Sequence, residues 1–152
     1  MNQRFKDWVD SLHGKYETLV AMEPVVANRV PSATPVGGVY LFSEEANHLY
    51  VGRTKRPIAK RVRYHFSTAA DCPFAWLLAR EATGKKASYK QTGSRKDLLA
   101  DASFRAQYEA AKKRIRAMSV RYVHEADPTA QALLEIYVAV ATAARYNDFD
   151  TH

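Results

Sequence analysis

The chain has 152 residues, of which 47% are hydrophobic and 26% charged; these values exclude a disordered chain and allow one domain whose core needs no disulfide. Cys72 is the single cysteine, which excludes an internal disulfide and a cysteine-built zinc site. The net charge of +7 points to a polyanionic partner, nucleic acid first.

No apolar run approaches the roughly 20 residues of a membrane helix, so no membrane partner is expected. The N-terminal stretch mixes acids with bases and lacks an apolar block, so no signal peptide is expected, and a reducing, cytoplasmic setting fits the lone cysteine. Residues 3–22 carry Phe5, Trp8, Val9, Leu12, Tyr16, Leu19 and Val20 near one face, which predicts an amphipathic helix. Pro31 to Gly38 is a breaker cluster and reads as a loop. Residues 1–35 are therefore an N-terminal helical extension and linker, ahead of a domain over 36–152. Two strand candidates follow, Val39 to Phe42 and His48 to Val51, joined as a hairpin through Ser43 to Asn47.

Pro57 suits the first turn of a helix, with Ile58, Val62 and Phe66 on its apolar face. A helix over Pro73 to Thr83 is closed by Gly84. Lys85 to Lys96 is polar and basic and reads as a loop. Residues 101–117 are helical, with Phe104, Tyr108, Ala111 and Ile115 on one side. Met118 to His124 alternates as a third strand. Asp127-Pro128 supplies an N-cap and a first-turn proline for a last helix running on to Tyr146. The expected fold is α/β (α+β), a small three-stranded antiparallel sheet flanked by helices.

Several chemistry-bearing residues fall in a telling order. Gly38-Val39-Tyr40 ends the loop, Tyr50-Val51-Gly52 ends the hairpin, Arg61 and His65 lie one turn apart, Glu135 sits on the last helix, and Asn147 follows it. This set resembles the signature of the GIY-YIG nucleases, over about Val36 to Asp148. Either tripeptide alone is weak evidence; the full set in order is specific. The spacing from Tyr50 to Arg61 is one residue longer than is commonest in the family, which leaves Lys60 as a rival for the arginine position. Arg61 is preferred because it places His65 as the pattern expects and because a guanidinium suits phosphate. Arg53 stands where lysine is common.

The chemistry needs these residue types together. Phosphodiester hydrolysis requires an activated water, charge neutralisation at the phosphate and help for the leaving oxygen. Arg61 can pair with a phosphate, and His65 can donate to it or relay a proton. The resemblance implies that Tyr40, supported by Tyr50, activates or orients the water. A phenol titrates near 10, so Tyr40 acts as a base only beside positive charge such as Arg61, Arg53 or a metal. The resemblance also implies one divalent ion per site, Mg²⁺ or Mn²⁺, on Glu135, with Asn147 bracing the site. Glu135 taken alone would pair with an arginine such as Arg121. Arg53, Lys60, Arg63, Lys85, Lys86, Lys90, Arg95 and Lys96, with Tyr89 among them, are the candidate nucleic-acid contacts, and the same residues also suit an ordinary solvated surface.

The expected activity is a metal-dependent endonuclease acting on DNA, leaving 5′-phosphate and 3′-hydroxyl ends as the resemblance implies. A non-cutting nucleic-acid-binding module and an RNA-directed nuclease are the alternatives. One site cuts one strand, so a double-strand break requires a homodimer or two visits.

Overall fold

A computed structural model of the chain describes residues 1–88 and 91–149. The chain divides into two compact units, one made of Met1–Val62 with the segment from Met118 onward, the other of Arg63–Ala117. Among the described residues no helix is long and apolar enough to cross a membrane.

The first unit opens with α1 (Gln3–Ala21), whose N-cap Asn2 accepts a hydrogen bond from the Phe5 amide. Its apolar face is buried only from Leu12 onward; Phe5 and Val9, expected on that face, remain exposed. The strands are β1 (Val25–Val26), β2 (Val36–Glu44), β3 (Asn47–Pro57) and β4 (Ser119–His124). They form one antiparallel sheet in the order β1-β4-β2-β3. The expected three-stranded sheet thus has four strands. The extra one, β1, is two residues pairing with Val120 and Ser119, too short to show any alternation in sequence. β2 and β3 also run well past the expected limits, and only Glu45 and Ala46 remain as the hairpin turn. Polar residues such as Arg53 and Thr54 pair through their backbone, so the longer ladder leaves no hydrophobic trace.

Alternation assigns the two faces of this sheet. Val39, Leu41, Val51 and Val123 enter a core with Leu12 and Leu19 of α1 and with Leu134, Val138 and Ala139 of α6 (Pro128–Thr142). The other register of β2 and β3 carries Tyr40, Phe42, Tyr50 and Gly52. α6 starts as the sequence predicts, with the Asp127 carboxylate accepting from the Thr129 and Ala130 amides and Pro128 in the first turn. It ends earlier than expected, at Thr142, because Ala143 adopts a left-handed conformation. That early stop frees Arg145 and Tyr146, whose amides donate to the carbonyls of His48 and Leu49 along the outer side of β3.

Helix α2 (Ile58–Tyr64) starts one residue after Pro57, which closes β3. It ends at Tyr64, so His65 and Phe66 lie in the following turn rather than on the expected helix. The second unit contains α3 (Pro73–Thr83), α4 (Arg95–Ala100) and α5 (Ala102–Ala117). Gly84 closes α3 in the left-handed conformation that its position predicts. Helix α4 corrects the expectation of a loop through Lys96. Ser94 and Asp97 form a reciprocal capping box, and this S-x-x-D signal was legible behind the basic residues. Phe104 and Tyr108 of α5 pack on Trp76 of α3, and the Cys72 thiol is buried against the Tyr64 and Ala69 carbonyls.

The glycines of the two tripeptides have a steric reason. A Cβ at Gly38 would overlap the Val123 carbonyl oxygen, and one at Gly52 would overlap the Tyr40 phenol. Tyr40 is the β2 partner of Gly52, so its ring lies across bare backbone. Gly52→Ala should therefore cost about 1–3 kcal/mol through overpacking, read as a lower urea midpoint at unchanged slope. A midpoint equal to wild type would show that the contact is not tight.

Candidate active site

A cavity of about 340 Å³ opens in the first unit. Tyr40 comes from β2; Tyr50, Gly52, Arg53, Thr54 and Lys55 from β3; Arg61 from α2; Gln131 and Glu135 from α6. Four consecutive β3 residues contribute, so both faces of this edge strand line it. Three basic side chains face a single carboxylate there, so the lining carries net positive charge. That balance favours an anionic ligand.

Of the residues expected from sequence, Tyr40, Tyr50, Arg61 and Glu135 are brought together. Tyr40 is fully buried, with Phe42 edge-on at a ring distance of 5.8 Å. Burial pushes its phenol far above the ordinary range, and the neighbouring Tyr50 adds to this. The Arg61 charge and its hydrogen bond to the phenol oppose the shift without overcoming it. Tyr50 is pushed up to about 12, first by burial and then by Glu135, with Arg61 opposing. Both phenols are therefore neutral donors and acceptors around neutral pH. The positive charge that sequence reasoning required beside Tyr40 is present in Arg61, but burial outweighs it.

Glu135 is held by Arg53, whose Nε donates to Oε2 at 2.9 Å. This replaces the pairing with Arg121 considered from sequence; Arg121 instead donates to the Met22 carbonyl at 2.8 Å. Burial raises the Glu135 pKa, while the charge and hydrogen bond of Arg53 and the charge of Arg61 pull it back. Arg53, expected as a nucleic-acid contact, is thus also the counter-ion of the carboxylate.

Asn147 lies five residues beyond the end of α6 and is not its cap. Its Oδ1 accepts from the Val51 amide at 2.7 Å and its Nδ2 donates to the Val51 carbonyl at 2.8 Å. The side-chain amide so acts as a strand partner for the exposed edge of β3. It holds the peptide between Tyr50 and Gly52, two residues of the cavity wall.

His65 belongs to the second unit, where it is fully buried with Phe74 edge-on at 6.5 Å. Among the other expected nucleic-acid contacts, Lys60 of α2 is exposed. In the second unit, Arg63 is half-buried, Lys86 and Lys96 are exposed, Lys85 pairs with Asp101 at 3.2 Å, and Arg95 lies over the Trp76 ring. Tyr89 and Lys90 fall outside the described residues. Sequence reasoning missed Thr54, Lys55 and Gln131 as lining residues. Gln131 had a usable signal, since it stands one helical turn before Glu135.

Comparison of the chain with models of protein families, with curated proteins and with solved structures finds no match. The resemblance to a family therefore rests on the residues themselves.

Two outcomes test this geometry. Asn147→Ala removes two hydrogen bonds from one peptide and should cost about 1–3 kcal/mol, with faster amide exchange at Val51; unchanged exchange would show that the clamp holds nothing. A raised folded-state pKa at Glu135 means a stability contribution that is full below the unfolded pKa and lost as pH rises through the folded one. Glu135→Gln in EDTA should accordingly melt above wild type at pH 8, with the gain vanishing on acidification to about 4. A lower melting temperature at pH 8 would mean that the Arg53 pair outweighs burial.

Proposed function

We propose that this cavity hydrolyses a phosphodiester bond in DNA as a metal-dependent endonuclease of the GIY-YIG type. The observation that carries the reading is the convergence of two neutral phenols, one carboxylate and three basic side chains in one cavity. Their order along the chain supports it, since both tripeptides, Arg61 and Glu135 contribute.

Arg61 is suited to bind the scissile phosphate. Its guanidinium stays charged at any relevant pH, matches phosphate oxygens in pairs and already lies beside the Tyr40 phenol. An attacking water hydrogen-bonded to Tyr40 would be aimed at that phosphorus. Without a bound cation burial keeps Tyr40 protonated, and its contribution in that state is orientation of the water. Lys55, also on the cavity wall, adds positive charge for the rest of the backbone.

The donor chemistry fits the cation that the resemblance implies. Among the described residues no three His, Cys, Asp or Glu side chains cluster, and Glu135 is the carboxylate of the cavity. One carboxylate with space for water suits a hard ion such as Mg²⁺ or Mn²⁺ that keeps most of its water shell. When bound, such an ion supplies charge stabilisation for the leaving oxygen. Arg53 and the cation address the same carboxylate, so Arg53 is available to the phosphate once the cation takes Glu135.

Supercoiled plasmid should be nicked in Mg²⁺ or Mn²⁺ and left intact in EDTA. Tyr40→Phe and Arg61→Ala should each lose about 10²–10³-fold in rate, and Glu135→Ala should be inactive, all with wild-type circular dichroism. Full activity of a folded Glu135→Ala would remove the metal assignment. Salt-sensitive binding without cutting would favour a binding module, and cleavage confined to RNA oligonucleotides would change the substrate class.

A further inference from the structure

Gln131 of α6 is fully buried, yet its side-chain oxygen has no hydrogen-bond partner among the described residues. Buried polar atoms are nearly always paired, and an unpaired acceptor is costly. The amide cannot relieve this by flipping. Its Nε2 donates to the Glu125 carbonyl at 2.6 Å, and a flip would set two acceptors against each other. The side chain also packs under Gly37, where an added Cβ would stand 3.1 Å from Nε2. Orientation is thus set by the fold, and the oxygen is the end without a partner among the described residues.

Gln131 lines the same cavity as Glu135, one helical turn away on the same face of α6. What completes an acceptor must be a donor or a cation. The phosphate group expected in this cavity offers acceptors only. Amide oxygens are regular ligands of hard divalent ions.

We propose that the Gln131 side-chain oxygen is a second protein ligand, beside the Glu135 carboxylate, for a hard divalent cation in this cavity. The pair supplies one charged and one neutral oxygen, a set that selects Mg²⁺ or Mn²⁺ over softer ions. The inference rests on the cation assigned to the cavity under the proposed function. It goes further in naming a neutral ligand held in place by the Glu125 carbonyl, a second contact of the kind that orients metal ligands.

Metal binding can be read without activity. Mn²⁺ affinity is measured by calorimetry, and Eu³⁺, a hard oxygen-seeking stand-in, reports its bound waters through luminescence lifetimes in H₂O and D₂O. Gln131→Met, apolar and of similar length, should weaken Mn²⁺ at least tenfold and add one water to bound Eu³⁺. Gln131→Glu, with an added charge, should tighten Mn²⁺, and it keeps the test open should the methionine variant fail to fold. Glu135→Gln is the control and should weaken binding further. Wild-type affinity and water count in both Gln131 variants, with binding lost in Glu135→Gln, would overturn this ligand while leaving the nuclease reading intact. Absence of Mn²⁺ and Eu³⁺ binding in the wild type would overturn both.

Discussion

The Tyr40 ring lies across the backbone of Gly52 on the neighbouring strand, at a distance that leaves no room for a Cβ. That contact buries a phenol completely, and full burial decides how the phenol behaves. It stays neutral, it stays fixed, and it meets Arg61. A side chain at position 52 would push the ring off β3. The same strand is clamped from its outer side by Asn147, which grips the peptide just before Gly52. One residue that has no side chain and one amide that imitates a strand together hold the cavity wall.

Electrostatics then follow from placing few charges in little water. Glu135 is raised by burial and drawn back by Arg53 and Arg61. A carboxylate in that balance keeps a counter-ion close, and Arg53 fills that role. Under the proposed function, the arrangement suits a site that would meet an anionic backbone and a cation together. Without either, Arg53 and Glu135 pair with one another, so neither charge stands alone.

Two helix ends are set by local signals in the sequence. The Asp127-Pro128 start of α6 and the Gly84 stop of α3 are decided by neighbours in the chain, and the structure forms both. Elements without a hydrophobic period were misread. β1 is two residues, and the far half of β3 is polar. α4 is six residues whose basic side chains masked its capping box. Each is stabilised by backbone pairing or by packing supplied from elsewhere in its unit.

The site divides in the same way. From the sequence alone came the residue types, their order and hence the chemistry to test, because a tripeptide ending a hairpin strand and a glutamate on an amphipathic helix are legible as text. Which of them meet was decided by tertiary structure. Helix α6 stops at Thr142 rather than Tyr146, and this lets Asn147 reach β3. Helix α2 stops at Tyr64, so His65 lies in the turn that follows it rather than on the helix. The pairing of Glu135 with Arg53 rather than Arg121, and the stranded oxygen of Gln131, appear only when α6 is laid against the edge of the sheet. Burial and pairing belong to residues far apart in sequence, so no window along the chain contains them.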